Sequence, residues 1–226
     1  MFGDISGLHG EKQTRRSQLC VREERTITDG PDFRFETEAP TGPVCGVDEV
    51  GRGPWAGPVV TAAVILVPET APKGLNDSKK LSLKRRKALF EDLQAAPHGI
   101  GIASVEEIDR LNILNATYLA MRRAVAALPV QPGFALIDGN RIPHDLPCPA
   151  WAIVKGDARS ASIAAASIIA KVTRDRMMAD LAAEFPGYGW ETNAGYGVPA
   201  HQAALKSLGV TPHHRRSFKP IHKMLC

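Results

Sequence analysis

Four carboxylates follow short apolar runs of the sequence, and their positions suit a metal site. Asp48 and Glu49 end the first run, Asp138 ends the second, and Asp157 follows the third after a Lys-Gly step. A single acid at a strand end is most often a turn former or a helix cap. Four carboxylates drawn together would repel one another unless cations were present. No Cys or His set stands near them at ligand spacing, so the ligands would be hard oxygens, which favour Mg²⁺ or Mn²⁺.

Such a site could receive a phosphate backbone. Two divalent ions about 3.5–4 Å apart can clamp a scissile phosphate, one activating water and the other stabilising the departing oxygen. Directly after the first acids, Gly51, Arg52 and Gly53 combine close backbone approach with a planar fork of donors. Backbone groups of this stretch could also read a ribose 2′-hydroxyl, the group that separates RNA from DNA. The alternative for the stretch is a solvated turn.

Basic residues concentrate in two places. The first is residues 79–87, which contain no acid, and the second is the equally acid-free stretch 192–226. Such clusters attract polyanions, although either one alone could be a solvated helix face. Together with a metal site they favour a nucleic-acid partner. The candidate phosphate contacts are Lys79, Lys80, Lys171, Arg215 and Arg216.

Length and composition predict one globular domain with a tail. The chain has 226 residues, 44% hydrophobic and 23% charged, and a formal net charge of +4. The longest apolar stretch, near residues 59–67, is too short to span a membrane, and no secretory signal is visible. Four scattered cysteines favour a reducing, cytoplasmic compartment. Nothing requires more than a monomer.

Strands and helices are predicted to alternate from residue 43 onward. Val44–Asp48 and Pro58–Val67 are predicted as strands, and the short interval between them requires antiparallel pairing. Consecutive strand residues face opposite sides, so Asp48 and Glu49 could share a site only if the backbone turned there. Further strands are predicted at 100–105, 134–137 and 151–154, and helices at 82–95, 112–128, 160–185 and 199–209, with one more opening at Thr211-Pro212. These elements predict an α/β layer fold.

Residues 1–42 are polar and aperiodic and are interpreted as a disordered leader. The catalytic domain is predicted over residues 43–226, with a C-terminal helical part at about 186–226.

The run DEVGRGP at residues 48–54, followed by AGPVV at 56–60, resembles the signature of ribonuclease HII, the type 2 ribonuclease H. The resemblance continues in order through LNDSKKLS at 75–82, LIDGN at 136–140, KGD at 155–157, AASIIAKVTRD at 165–175 and HHRRSF at 213–218. It therefore covers roughly residues 43–220.

The resemblance implies a ribonuclease H-like fold, with a mixed five-stranded sheet flanked by helices and a small C-terminal helical extension. It implies a metal-dependent endonuclease that cuts 5′ of ribonucleotides in RNA–DNA hybrids and at single ribonucleotides in duplex DNA. The products would carry a 5′-phosphate and a 3′-hydroxyl. The implied metal ligands are Asp48, Glu49, Asp138 and Asp157, holding two Mn²⁺ or Mg²⁺ ions.

The resemblance also implies a substrate site in which Gly51, Arg52 and Gly53 contact the 2′-hydroxyl and Tyr196 stacks on the neighbouring sugar. Two positions depart from the family pattern. Ala194 stands where family members often have lysine, and Trp55 replaces a commoner leucine. The first departure removes a potential phosphate contact, and the second is interpreted as a packing variation.

Alternatives remain at this level. Ribonuclease HIII, a junction resolvase or another nuclease of the same fold is one, although ribonuclease HIII would need a longer folded N-terminal domain and lacks the Gly-Arg-Gly turn. A nucleic-acid-binding protein without catalysis is another, disfavoured because all four acids are intact. His213 and His214 could assist proton transfer or simply extend a basic face.

Overall fold

A computed structural model describes residues 21–22 and 30–226. Its centre is one mixed sheet with the strand order β1-β6-β5-β2-β3-β4. The strands are β1 Val21–Arg22, β2 Val44–Val50, β3 Val59–Ile65, β4 His98–Ala103, β5 Phe134–Asp138 and β6 Ala150–Ile153. The five longer strands form the five-stranded mixed sheet that the sequence resemblance implied. The two-residue β1 extends the sheet by pairing parallel to β6.

The central strands are apolar because helices cover both faces of the sheet. Every residue of β3 is buried, as expected for a strand without a solvent face. Strands β2 and β3 pair antiparallel, which confirms the prediction from their short connection. Strands β2, β5 and β6 run parallel, so their carboxyl ends lie at one edge of the sheet.

Eight helices pack around this sheet in the described part of the chain. They are α1 Arg34–Glu38, α2 Leu83–Asp92, α3 Val105–Leu111, α4 Ile113–Ala126, α5 Ala161–Glu184, α6 Trp190–Asn193, α7 Pro199–Leu208 and α8 Lys219–Leu225. Helix α5 packs on one face of β2, where a Cβ on Gly46 would overlap backbone atoms of Ser162 and Ile163. Helix α4 covers the other face, against Cys45 and Val47. Among the helices within residues 30–226, none combines the length and the apolar character that crossing a bilayer would need.

Part of the predicted leader is folded, and the prediction is wrong for that part. Residues 34–38 form α1, whose Phe35 is buried against the sheet. The Glu36 carboxylate accepts hydrogen bonds from Ser160 Oγ (2.7 Å) and the Ser162 N–H (2.9 Å), at the start of α5. These contacts lie more than a hundred residues away in sequence, so local polarity could not predict them. Residues 1–20 and 23–29 lie outside the described residues, and the division into domains stays a prediction.

The helix predicted to open at Thr211-Pro212 is also wrong. Residues 211–218 form turns, and the last helix begins at Lys219. The reason is the buried His214 side chain, whose Nδ1 accepts the Thr211 N–H (3.0 Å). The backbone at His214 also forms an isolated bridge with Ala56, which a helix would prevent.

The C-terminal helices pack around a buried aromatic and histidine network. Trp190 Nε1–H donates to His201 Nε2 (3.1 Å), and His201 Nε2 lies 3.0 Å from His214 Nε2. The opposite His201 nitrogen lies 2.9 Å from the Tyr196 carbonyl, so it carries the proton. Both rings are then neutral, and His201 Nε2 is the shared acceptor of the Trp190 and His214 N–H groups. In accord, burial lowers the pKa of His201, and burial with the adjacent His201 ring lowers the pKa of His214 to about 4.

Candidate active site

Asp48 and Asp138 emerge side by side at the carboxyl edge of the sheet. The parallel register of β2 and β5 pairs Val47 with Ile137, so the next residues on each strand are the two aspartates. Neighbouring strands lie about 4.8 Å apart. Asp48 is buried, with 6% of its surface exposed. Its Oδ1 accepts the N–H of Glu49 at 2.7 Å.

Glu49 reaches the same region from the opposite face of β2. The strand stays regular through Val50, so the turn expected at Asp48-Glu49 is wrong. Strand β5 stops at Asp138, which leaves Glu49 just beyond the end of its neighbour. The Glu49 side chain therefore lines the α4 side of the sheet edge together with Asp138. Asp48 and Glu49 point to opposite faces of β2. Because β5 ends at Asp138, both side chains can approach Asp138 at the edge of the sheet.

Asp157 follows a tight connection after β6. Lys155 adopts a left-handed conformation (φ 54°), which starts a short 3₁₀ turn at Gly156–Ala158. The Gly156 N–H donates to Asp138 Oδ1 at 2.7 Å, and a Cβ on Gly156 would lie 3.2 Å from that oxygen. The glycine thus brings the backbone against Asp138 and places Asp157 next to it.

The acids perturb one another strongly. Burial raises the pKa of Asp48 well above its usual range, and the charges of Asp138, Glu49 and Asp157 raise it further. Burial raises the pKa of Glu49 to about 7 against the opposing Arg52 charge, and burial with Asp138 raises that of Asp157 to about 6. Burial also raises the pKa of Asp138, although N–H groups of residues 156, 157 and 139 oppose this. Without a cation the cluster favours retained protons.

This chemistry fits hard divalent cations. Carboxylate oxygens are the ligands that Mg²⁺ and Mn²⁺ prefer, and a cation would remove the repulsion that raises these pKa values. In residues 21–22 and 30–226, no three His, Cys, Asp or Glu residues are already arranged as a metal-binding group. Glu49 Oε1 instead lies 3.3 Å from the Arg52 guanidinium. The ligand assignment of the four acids therefore stays a prediction.

The Gly-Arg-Gly stretch forms the loop that follows β2. Gly51 is buried with a φ of 103°, a conformation that L side chains rarely adopt. Arg52 and Gly53 are exposed. The Tyr196 ring lies over Gly53, where an added Cβ would come within 3.2 Å of the ring. The structure thus brings together Gly53 and Tyr196, two predicted substrate contacts far apart in sequence.

The two departures from the family pattern lie beside this loop. Trp55 packs against Gly197 and stands 6.1 Å from the His201 ring, centroid to centroid. Its bulk is therefore accommodated in the C-terminal part. Ala194 adopts a left-handed conformation (φ 49°), and its carbonyl accepts a hydrogen bond from Arg174.

The predicted lysine contacts occupy different environments. Lys79 is exposed, and the charges of Asp48, Asp77, Asp157 and Asp138 raise its pKa against the opposing effect of burial. Lys80 is also exposed. Lys171 lies on α5, where its Nζ pairs with Asp175 at 2.6 Å. These three substrate contacts stay predictions, with the charge of Lys171 already matched inside its own helix.

Arg215 is not a surface phosphate contact, which corrects the prediction. Its side chain is fully buried, and it donates to the carbonyls of Gly51 (2.5 Å) and Arg52 (3.0 Å). Arg216, by contrast, is exposed, and its backbone N–H donates to Asp109 at 3.0 Å. The role of Arg216 as a substrate contact stays a prediction. Two adjacent arginines have the same chemistry, so spacing alone could not distinguish the buried one.

Sequence reasoning did not predict that Arg174 lies beneath the loop and binds its carbonyls. It is fully buried on α5 and donates to the carbonyls of Ala56 (3.1 Å), Pro58 (2.9 Å) and Ala194 (3.0 Å). Charged residues surround it on the helix, namely Lys171, Asp175 and Arg176, so no local signal distinguished the buried arginine. His214 is also buried, which argues against its predicted alternatives of a basic face or proton transfer at the acids.

A cavity of about 390 Å³ opens beside Glu49 and Asp138 on the α4 side. Its polar wall includes Arg52, Asn140 and Arg141, and its apolar wall comes from α4. This cavity lies next to the acids and carries two arginines, so it can receive a phosphodiester backbone.

Comparison with known proteins gives consistent matches. The family model described as "Ribonuclease HII" matches residues 45–221. A protein of Ruegeria pomeroyi named "Ribonuclease HII" is 62% identical over 199 residues, covering 86% of this chain and 85% of the relative. A protein of Jannaschia sp. with the same name is 63% identical over 198 residues, covering 87% and 99%.

The fold has a solved counterpart. The crystal structure of ribonuclease H2 from Pyrococcus horikoshii superposes with a TM-score of 0.68 at 27% identity, covering 80% of this chain and 96% of that one. The similarity therefore extends over nearly the whole Pyrococcus horikoshii protein and most of the described residues here.

Proposed function

Because the chain belongs to the ribonuclease HII family and is a ribonuclease H hydrolase, we propose that it cuts the phosphodiester on the 5′ side of ribonucleotides. Its substrates are RNA–DNA hybrids and duplex DNA that contains single ribonucleotides. The products carry a 5′-phosphate and a 3′-hydroxyl. The observation that carries this proposal is the meeting of Asp48 and Asp138 on adjacent strands with Asp157 beside them.

The four acids would hold two divalent cations, Mg²⁺ or Mn²⁺, in the active complex. When bound, such ions lower the pKa of an attacking water and stabilise charge on the phosphate and the leaving oxygen. Asp48 and Asp138 would provide rigid ligands because Asp48 lies within β2 and Asp138 is the last residue of β5. The Gly156 N–H holds one Asp138 oxygen at 2.7 Å and so fixes the orientation of that carboxylate. To serve as a ligand, Glu49 would have to give up its 3.3 Å contact with the Arg52 guanidinium.

The Gly-Arg-Gly loop and Tyr196 select the ribose. Gly53 has no side chain to block the approach of a sugar, and the exposed Tyr196 ring beside it offers a flat surface for stacking. A site built to bond a hydroxyl rejects the analogue that lacks it, because its own polar groups then stay unpaired. Lys79, Lys80 and Arg216 contact flanking phosphates, and Lys171 does so after exchanging Asp175 for a phosphate oxygen.

We also propose that the protein acts in the cytoplasm as a monomer. Free Cys45 and Cys148 in the described part of the chain suit a reducing compartment.

The test is cleavage of a DNA duplex that contains one ribonucleotide, with Mg²⁺ or Mn²⁺. Wild-type protein should cut once, 5′ of the ribonucleotide, and leave the all-DNA duplex intact. Asp138→Asn keeps an oxygen for the Gly156 N–H but removes the charge, so we expect a loss of at least about 10²-fold in kcat. Asp180→Asn, the same change at an exposed site on α5, should leave the rate unchanged.

Other outcomes identify the alternatives. Binding without any cleavage by wild-type protein would indicate a non-catalytic nucleic-acid-binding protein. Cleavage of hybrids but not of the single-ribonucleotide duplex would indicate another substrate range within the same fold.

A further inference from the structure

Two buried arginines lie beneath the Gly-Arg-Gly loop without a carboxylate partner among their hydrogen bonds. Arg215 donates from Nε and both terminal nitrogens to the carbonyls of Gly51, Arg52 and Gly57. Arg174 donates to carbonyls of Ala56 and Pro58 on the same loop, and to Ala194. Burial lowers the pKa of Arg215 to about 9 and that of Arg174 to about 10. Burying a charged guanidinium costs free energy of folding, so we expect each of these arginines to have a role beyond filling space.

The geometry of the peptide group supplies that reason. A trans peptide is planar, and its C=O and N–H point in opposite directions. The Gly51 carbonyl shares a peptide plane with the Arg52 N–H, and the Arg52 carbonyl shares one with the Gly53 N–H. Because both carbonyls point inward to Arg215, both N–H groups point away from it, toward the exposed side of the loop. Neither N–H group donates to an acceptor within residues 21–22 and 30–226.

We infer that Arg215 is a specificity-determining positioning residue, which orients the Arg52 and Gly53 N–H groups toward the substrate ribose. This inference rests on the proposed function. The two N–H groups donate to the 2′-hydroxyl oxygen, and Tyr196 borders the same position through its contact with Gly53. Arg215 itself does not touch the substrate.

Arginine suits this role because its donors are held in one rigid plane. Its fork reaches two consecutive carbonyls of the loop and the Gly57 carbonyl on the returning segment at the same time. A lysine ammonium is a single point and cannot span these acceptors. The Arg215 backbone is fixed as well, since its N–H donates to the Trp55 carbonyl at 2.8 Å.

Arg174 provides a matched control. It is equally buried and clamps the same loop, but it bonds the carbonyls of Ala56 and Pro58 and not those of Gly51 and Arg52. Arg174→Lys therefore removes a guanidinium of the same burial, together with its bond to the Ala194 carbonyl, and leaves the Arg215 hydrogen bonds to Gly51 and Arg52 in place.

The experiment measures Kd in EDTA, where no cleavage occurs, for a duplex with one ribonucleotide and for the identical all-DNA duplex. Wild-type protein should prefer the ribonucleotide duplex. Arg215→Lys should lower that preference by about five- to tenfold, with all-DNA affinity within about twofold of wild type, because one or two hydrogen bonds are lost. Arg174→Lys should keep the preference. General loss of structure would instead weaken binding to both duplexes alike.

A second measurement uses only wild-type protein, in case Arg215→Lys does not fold. The ribonucleotide duplex should shift the backbone amide NMR signals of Arg52 and Gly53, and the all-DNA duplex should not. Retained preference in Arg215→Lys, or unchanged amide signals, would overturn the inference while leaving the cleavage activity standing. Equal binding of both duplexes by wild-type protein would overturn the proposed substrate and this inference with it.

Discussion

Among the four acids, Asp48 reduces the stability of the metal-free fold the most. It is buried, and after burial itself the charges of Asp138, Glu49 and Asp157 raise its pKa. A carboxyl whose folded pKa is raised binds its proton more tightly in the folded state. Stability is therefore lost as pH rises above the unfolded value and through the folded one. At neutral pH and without divalent cations, the four acids together destabilise the fold that they serve.

Asp48→Asn should therefore stabilise the metal-free protein while abolishing cleavage. In EDTA at pH 8 we expect a melting temperature a few degrees above wild type, since about 1 kcal/mol corresponds to roughly 2–4 °C at this size. The difference should shrink as pH falls toward 4, where wild-type carboxyls also carry protons. Thermal unfolding at several pH values measures it. Mn²⁺ should raise the wild-type midpoint more than that of the variant. An Asp48→Asn midpoint below wild type in EDTA would contradict the electrostatic account.

The role of a single residue could be predicted from the sequence where its side chain suits only one kind of interaction. The four acids follow or end apolar runs of the sequence, and the structure places Asp48 and Asp138 on the adjacent parallel strands β2 and β5. Arg215 was not predictable in this way, because an arginine in a basic segment can serve either a phosphate or a carbonyl. The choice depends on the loop at residues 51–58, which lies more than 150 residues earlier in the chain.

At the scale of elements, α1 fixes the start of the longest helix. Glu36 Oε1 accepts from Ser160 Oγ and the Ser162 N–H, so a carboxylate lies at the positive end of α5. Ser160 is also the N-cap of that helix, with its side chain accepting the Ile163 N–H. Helix α5 carries Arg174 and packs on β2 beneath Asp48. Its first turn therefore matters for the site as well as for stability.

Removing this contact should destabilise the protein measurably. Glu36→Ala loses two hydrogen bonds and the favourable helix-end charge, for which we expect about 1–2 kcal/mol. Chemical denaturation measures the change. Glu36→Gln is the matched control, because its amide oxygen can still accept both hydrogen bonds, and it should lose less than half as much. Equal losses in the two variants would mean that charge alone matters, and no loss in either would mean that α1 does not hold α5.

Sequence patterning predicted the buried elements well and the irregular ones poorly. The strands and the long helices follow from apolar runs and periodicity, because each one buries a face. The segment at residues 30–38 is polar and short, and it folds only because Phe35 and Glu36 find partners on distant elements. The turns at 211–218 likewise depend on a buried histidine, whose burial no local pattern indicates.

At the scale of the whole molecule, the basic residues of the two clusters fall into two groups. Some bind carbonyls or lie buried within the protein, and others are exposed and free to contact a duplex. In the first cluster, Arg85 donates to the Lys73 carbonyl, and Arg86 donates to the carbonyls of Ser78 and Leu81. The lysines of that cluster are exposed, namely Lys79, Lys80, Lys84 and Lys87. The negative charges of the acids raise the pKa of Lys79 against the effect of burial, and a duplex held at the site can continue along Lys84 and Lys87 on α2. In the second cluster Arg215 and His214 are buried, whereas Lys206, Arg216, Lys219 and Lys223 are exposed.

This division predicts how binding responds to salt. The logarithm of the binding constant falls linearly with the logarithm of the salt concentration, and each lost phosphate contact reduces the steepness of this fall by about 0.9. Replacing Lys84 and Lys87 together by alanine should lower the slope by up to about 1.8 and weaken binding to ribonucleotide-containing and all-DNA duplexes equally, since phosphates carry no sugar information. Replacing both by arginine keeps the charges and should keep the slope. A titration of Kd between about 50 and 200 mM salt measures this. An unchanged slope in the alanine variant would show that the duplex does not contact Lys84 and Lys87. A change in the ribose preference would mean that α2 influences sugar recognition as well as binding of the phosphate backbone.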